Sequence, residues 1–429
     1  MSRVRVADLS FQALGVVKEP QFCFVAGALA GEEIEIGPIY GRKKFPQADL
    51  LRVVKPSPSR QQARCQHYDS CGGCQLQHLH YPEQLSFKEQ NLRYQLSRFA
   101  GLQSLPKVEV LSEQPFAWRH RLRLHQRGGR LGFFAANSHD LVAIERCEIA
   151  TDGINGLLAW LGPLVAEQSQ HISQIELLQD EFGQLALATQ GLSPLPQDWG
   201  PQLLQSAPVA NLLWWHQVST QGKGQGLNNV YGLHSQQLHP GQHWLRYRLG
   251  ELEFQYSPLY FTQVNLAINK AMVAQALDWL ALKGDESVLD LFCGMGNISL
   301  PLAKQAARVV GVELSQASIE HAQHNAKRNQ IGNVQFQTGD LFKPRGQWLR
   351  QPGSVVVLDP PRKGAAEVIA ALDWSEVEKV LYVSCNVSSL AHDLALLLPK
   401  GFALSRLSAM DMFPNSYHTE AMVLLTRVN

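Results

Sequence analysis

The sequence predicts an α/β protein: a doubly wound, Rossmann-like parallel sheet preceded by a small N-terminal β-barrel and a mixed, mostly β middle segment. Three observations carry this. From Ser287 onward, short apolar runs (SVLDLF, ARVVGVE, NVQFQTGD, SVVVLDPP, KVLYVSC) alternate with helix-like stretches, the pattern of strands covered on both faces by crossover helices. Residues 1–55 break instead into short β-like runs (VRVADLS, QFCFVAG, EEIEIG, ADLLRVV) separated by glycine-bearing turns. Finally, VLDLFCGMGN at 288–297 is a strand entering a glycine turn that opens a helix, the device by which such sheets bring backbone close to a ligand at their carboxyl edge.

Each element follows in order. The barrel gives way to PSPSR at 56–60, which reads as a linker, and then to a cysteine cluster. PEQLSFKEQNLRYQLSRF, about 82–100, spaces Leu85, Leu92, Leu96 and Phe99 as one face of a helix. Between about 115 and 255 the signals are mixed and mostly β. In WRHRLRLHQR, Arg119, Arg121 and Arg123 alternate and would share one face of a strand, either solvated or turned to phosphates. The expected units are a barrel at 1–57, a central domain at 58–255 and an α/β domain at 256–429.

Charge and cysteine usage narrow the class. The net charge of +1 conceals 20 basic against 13 acidic residues up to Arg146, and 18 against 24 beyond it. Such polarity suits an N-terminal half that meets a polyanion. No apolar run approaches a membrane span and the N-terminus lacks a signal-peptide core, so a soluble, cytoplasmic protein with no membrane partner is expected. Seven cysteines, an odd number without an export signal, argue for metal or catalysis rather than disulfides. Cys65, Cys71 and Cys74 are close enough to share a metal, Cys147 is the candidate fourth ligand, and the spacing leaves zinc and an iron-sulfur cluster open. His67 and His78 read as surface histidines, Cys23 and Cys293 as core.

The carboxyl edge of the predicted sheet carries the chemistry. Gly294 and Gly296 admit a ligand, and Glu313, closing the next strand, can accept two ribose hydroxyls. A dinucleotide site would want a third glycine where Ser299 stands, and Asp290 suits a sulfonium better than a pyrophosphate. S-adenosylmethionine is therefore expected rather than a nicotinamide cofactor, with Asp340 near the adenine amine and Asp359, in Asp359-Pro360-Pro361, aimed at the cleft. Cys385 ends the fifth strand beside this edge. A thiolate there is needed if the methyl acceptor is carbon 5 of a uracil, which becomes nucleophilic only after addition at carbon 6; Glu420, opening the last strand, is then the base for the carbon 5 proton. The base would have to be flipped out of its stack. Two rivals stand beside this reading: an amine methyltransferase using Asp-Pro-Pro, which needs no thiol, and an inactive iron-sulfur RNA-binding protein.

Together FTQVN, DLFCGMGN, the Gly-Val-Glu strand end, LDPPR, SCN and the final HTE resemble the RNA uracil-5 methyltransferase family over essentially the whole chain. The resemblance implies Cys385 as nucleophile and Glu420 as base, with Gln263, Phe292, Asn297, Glu313, Asp340 and Asp359 around S-adenosylmethionine. It implies that the N-terminal barrel is a TRAM domain of OB-like fold that binds RNA. It also implies a [4Fe-4S] cluster on Cys65, Cys71, Cys74 and Cys147, which the ribosomal members carry, and hence a monomer acting on 23S ribosomal RNA at the uracil conventionally numbered 1939. One departure is visible: the proline usual after SCN is Val387.

Overall fold

The computed structural model describes residues 2–167, 171–191, 205–209, 212–218, 228–231, 237–238 and 244–428. Residues 2–55 form a seven-stranded curled sheet, ordered 40–42, 45–48, 23–25, 15–17, 2–9, 33–36 and 50–55. Alternation sets its inside: Val4, Val6, Val17, Val25, Ile34 and Ile36 are buried, and their intervening neighbours point outward. The barrel is the OB-like module expected. PSPSR does not behave as a free linker. Buried Glu32 accepts the Ser57 amide at 3.1 Å and the Arg60 guanidinium at 2.5 Å, which bolts the segment to the barrel.

The middle of the chain builds an eight-stranded, largely antiparallel sheet, ordered 141–143, 130–134, 121–127, 174–179, 185–191, 213–218, 228–231 and 237–238, with the helix Asp152–Glu167 packed on it. Arg121 and Arg123 share one strand face and both pair with a buried acid. Glu176 lies opposite Arg123 across the strand pair and accepts from both Arg123 (2.6 Å) and Arg121. Arg121 also donates to the carbonyls of Tyr260 (2.5 Å) and Pro258 (2.9 Å), while Arg119 lies before the strand and turns inward. Glu176 is buried, so satisfying its charge takes precedence over leaving the arginines to solvent.

The third sheet is ordered 334–338, 308–313, 287–291, 355–358, 379–384, 420–427, 402–410 and 108–111. The first five strands are parallel and Glu420–Arg427 runs against them. Val355–Leu358 is buried throughout, as a strand covered on both faces must be. The stretch 58–255 is divided between sheets: Val108–Leu111 pairs with Phe402–Met410, and the hairpin Leu245–Tyr256 packs into the same apolar core as the helix Leu266–Leu280. Helix Tyr81–Phe99 lies against the helix Val387–Leu397, where Ser388 donates to Gln95 at 2.7 Å; Leu92 and Leu96 are buried, whereas Phe99 is exposed. No helix among the described residues is long and apolar enough to cross a membrane.

A buried ion pair fastens that first helix to the loop before the last strand. Lys88 donates to Asp411 and to the Phe413 carbonyl (3.0 Å), and both charges are almost wholly out of solvent. Replacing Lys88 by methionine strands a buried carboxylate, so Lys88→Met is expected to cost about 3–5 kcal/mol, read as a lowered urea midpoint. The double variant Lys88→Met/Asp411→Leu should recover most of it.

Candidate active site

The strand register gathers residues that are far apart in sequence. Leu291 pairs with Val312 on one side and Leu358 on the other, and Leu358 pairs with Tyr382. The residues just beyond these pairs, Phe292, Glu313 and Asp359, therefore stand side by side at the carboxyl edge. The last strand arrives from the opposite direction, with Ser384 paired to Ala421. Cys385 and Glu420 consequently face each other where the two strands meet the cleft.

The glycine turn is built by backbone conformation. Phe292 takes a left-handed φ of 64°, followed by Gly294 at 53° and Gly296 at 86°. A Cβ on Gly296 would stand 3.1 Å from Leu300, whereas a Cβ on Gly294 would meet nothing within 4 Å, so the turn is packed on one side and open on the other. Glu313 is shared between the Gly294 amide (3.3 Å) and the Ser315 amide (2.9 Å). Asn297 exchanges both hydrogen bonds of its amide with Asn269 (2.8 and 3.0 Å) and accepts from the Tyr247 hydroxyl (2.9 Å), so its side chain fixes the turn against its neighbours. Asp340 caps its own turn through the Phe342 amide at 2.9 Å, and the Phe342 ring lies between Phe292 (5.8 Å) and the Lys363 ammonium (4.2 Å). Gln263 is half-buried in the segment that Arg121 clamps, and Phe261 beside it is 76% exposed.

Asp290 lies buried beneath the turn, where Oδ2 accepts the Ser299 hydroxyl and Oδ1 has no protein partner. Burial, together with the charges of Asp359 and Glu313, pushes its carboxyl up to about 7; burial does the same to Asp359. An acidic site of this kind is relieved by a cationic ligand.

Cys385 is half-buried, and burial first, then the charges of Glu420 and Asp359, push its thiol up to about 11 against the pull of Arg362. Glu420 is buried, and desolvation and Asp359 raise it well above the usual carboxylate range, again opposed by Arg362. Arg362 thus acts on both groups, a role the motif LDPPR contains but its spelling does not disclose. It donates to His418 Nδ1 at 3.2 Å, and its carbonyl accepts the Asn386 amide at 2.9 Å. Burial, Arg362 and Lys88 push His418 down to about 4, so its ring is neutral near pH 7. Asp393, also missed in the sequence, accepts from the Tyr382 hydroxyl (2.5 Å) and the Ala365 amide (2.7 Å), tying the strand before Cys385 to the loop after Asp359.

Val387 is accounted for by the helix it opens. Asn386 accepts the Ser388 amide at 3.2 Å as the helix cap, and Val387 is the first helical residue, a position where proline is well suited. The cap does the work of the missing ring, and the Val387 side chain packs into the core.

A second constellation lies where the central sheet meets the cysteine loop. Cys65, Cys71, Cys74 and Cys147 line one cavity of about 180 Å³. Gly72 lets the loop approach the neighbouring strand, since a Cβ there would stand 2.9 Å from the Phe134 carbonyl. Burial raises Cys71, and raises Cys74 to about 12 and Cys147 to about 11. Among the described residues no three His, Cys, Asp or Glu side chains converge on a single-ion site. Arg119, partly buried, lines the same cavity. His78, expected at the surface, is buried against the Tyr68 hydroxyl, and desolvation pushes it down to about 4. Cys23 and Cys293 are core residues as expected.

With the site described, the chain can be set beside known proteins. The tRNA (uracil-5-)-methyltransferase family matches it over residues 80–338 and 351–428. The chain belongs to this family. Within it, the chain is 37% identical over 413 residues to the 23S rRNA (uracil(1939)-C(5))-methyltransferase RlmD of Pseudomonas putida, covering 94% of this chain and 88% of that one. It is likewise 37% identical over 437 residues to the RlmD of Vibrio cholerae, covering 99% and 95%. In three dimensions it is similar to the Pyrococcus abyssi tRNA (uracil-54, C5)-methyltransferase solved with S-adenosyl-L-homocysteine. That match has a TM-score of 0.78 at 23% identity and covers 99% of this chain and all of that one, a likeness of fold.

Two outcomes follow for this family member. Cys385 should alkylate more slowly than free cysteine near pH 8, its rate should keep rising beyond pH 9, and Asp359→Asn should speed it severalfold by removing an anion from its field, as read by mass mapping of the alkylated peptide. Val387→Pro should leave thermal stability within about 1 kcal/mol of the parent, because that position suits a fixed φ.

Proposed function

We propose that this protein methylates carbon 5 of a uracil in 23S ribosomal RNA, at the position its relatives' names give as 1939, using S-adenosylmethionine and a covalent bond from Cys385. The observation that carries the reading is the facing pair Cys385 and Glu420 at adjoining strand ends, next to an acidic glycine turn. Relatives at 37% identity named for this reaction support it. So does the fold shared with the Pyrococcus enzyme. The basic stretch up to Arg146 and the OB-like barrel suit an RNA partner, and a monomer working in the cytoplasm agrees with a ribosomal substrate.

The bound cofactor supplies an electrophilic methyl on a cationic sulfur. The protein's part begins at Cys385, whose Sγ bonds to carbon 6 and moves the ring's double-bond electrons toward O4, making carbon 5 the methyl acceptor. The raised basicity of the Glu420 carboxylate suits it to take the proton from methylated carbon 5, and the electrons left behind rebuild the double bond and expel the Cys385 thiolate. Arg362 steadies both anions as they form. Asp359, Glu313 and the Asp290 carboxyl beneath the turn favour a cation at the sulfur. Phe292, Asp340 and Gln263 are assigned to the adenosine and base side of the cleft, and Asn297 to holding the turn. An amine methyltransferase would leave the Cys385 and Glu420 pair without employment.

The cysteine cavity fits an iron-sulfur cluster held by Cys65, Cys71, Cys74 and Cys147. Zinc draws four sulfurs onto one atom at about 2.3 Å, whereas here the four cysteines line one cavity and no three ligating side chains among the described residues converge on a single-ion site. Arg119, which lines the same cavity, supplies the counter-charge an anionic thiolate cluster requires. The cluster's work here is structural, as methyl transfer draws no electron from it.

Cys385→Ala is expected to abolish methyl transfer to 23S RNA, followed by mass mapping of the labelled uracil. Glu420→Gln should accumulate protein covalently bound to methylated RNA, seen as a shifted band; turnover at the parent rate would refute the base assignment. Protein purified without oxygen should contain about four irons and four sulfides per chain, falling sharply in Cys147→Ser.

A further inference from the structure

Phe24 and Phe45 of the barrel stack at 4.6 Å with an interplanar angle of 28°, and Phe22 meets Phe24 edge-on at 5.1 Å. Phe11 abuts Tyr94 of the first helix at 5.4 Å. None of these rings serves the barrel's core, which is complete with its valines, isoleucines and Cys23. Phe11, Phe22 and Phe45 are instead 38%, 45% and 38% exposed. Exposed aromatics in such a group mark a binding surface rather than a packing remnant.

Their position says what they meet. Phe11, Phe24 and Phe45 line one side of a cleft of about 400 Å³ whose other side is Cys385, Asn386 and His418. The cleft therefore runs from the barrel directly to the candidate nucleophile. Arg42, Lys43 and Lys44 precede Phe45, are exposed, and enter no ion pair among the described residues. Rings that can take the face of any base, beside free cations, are the recognition chemistry of single-stranded nucleic acid. An apolar protein segment would gain nothing from the cations and has no reason to end at a thiol.

We propose that Phe11, Phe24 and Phe45 form a stacking platform for the unpaired bases flanking the reacting uracil, with Arg42, Lys43 and Lys44 on their phosphates. This rests on the uracil methylation proposed above and specifies how the uracil is held open. Extruding a base breaks its stacking with its neighbours, a cost of a few kcal/mol, and the platform replaces that stacking with protein rings. The barrel thus acts on the reaction through its rims and not as a remote tether.

The test uses the full-length protein and a hairpin RNA with the target uracil in its loop and fluorescent 2-aminopurine as a flanking base. The parent should quench the fluorophore on binding. Phe45→Leu keeps apolar bulk without an aromatic face, and it should lose the quench and weaken RNA binding about tenfold or more, with S-adenosylmethionine affinity unchanged and Phe45→Trp restoring both. An abasic flanking site should weaken the parent by a similar factor, and the two losses should not add. Methylation by the parent with quench and affinity unaltered in Phe45→Leu, or fully additive losses, would overturn the platform. So would an altered sedimentation coefficient with RNA binding intact, which would mark the rings as a protein contact. Quenching without methylation would instead overturn the uracil reading and leave the platform standing.

Discussion

Everything at this site depends on strand register. The pairings Leu291 with Leu358, Leu358 with Tyr382 and Ser384 with Ala421 hold the strand ends level. A slip of one residue would turn Cys385 or Glu420 away from the cleft and send its neighbour into the core, because successive side chains point to opposite faces. The buried valines of 355–358 and 380–383 and the two apolar layers over them are what make such a slip costly. Packing therefore fixes the chemistry, and Asp393 and Asn386 refine it by tying the loops that carry Cys385 and Arg362.

The electrostatics follow from the same convergence. Bringing Asp290, Asp359, Glu313 and Glu420 to one edge, with burial, raises three of these carboxyls and the Cys385 thiol together. Burial is the largest cause at each, neighbouring acids add to it at Asp290, Glu420 and Cys385, and Arg362 favours the anions at Cys385 and Glu420. Burial and these acids thus favour the protonated Cys385 thiol. The same group of acids that quiets the thiol makes Glu420 the stronger base once it has ionised.

What the sequence disclosed and what it withheld divide along contact range. The strand, glycine turn and helix at 288–303, the Asp-Pro-Pro exit and the alternation of the barrel are written in neighbouring residues, and they stand where the spacing puts them. Cys385 and Glu420 were legible from chemistry, because a lone thiol and a lone acid at strand ends have a joint use. The arginine row was legible as a shared strand face, but not its pairing, because Glu176, which claims Arg121 and Arg123, lies fifty residues on. His78 misled because its burial comes from Tyr68 and the folded cysteine loop. Arg362 and Asp393 could not be singled out, since their partners lie on other elements. Val108–Leu111 carries no local mark of the sheet it joins.

That last strand and the Lys88 and Asp411 pair have a bearing on how the molecule is made. Ser408 donates to the Glu109 carbonyl across 299 residues of chain, and Lys88 reaches Asp411 across 323. Near the chain's end, Asn415 accepts the amides of Gln75 and Leu76, the two residues after Cys74, at 2.9 and 3.0 Å. During synthesis the first helix, the edge strand and the cysteine loop emerge early and wait, unpartnered, for almost the whole chain to follow. Glu420 is translated after all of them, and the segment just ahead of it closes contacts opened by the first hundred residues. The facing of Cys385 and Glu420 is thus a property of the assembled sheet: a chain cut short before Glu420–Arg427 keeps the thiol and the glycine turn but lacks the strand and the carboxyl that face them.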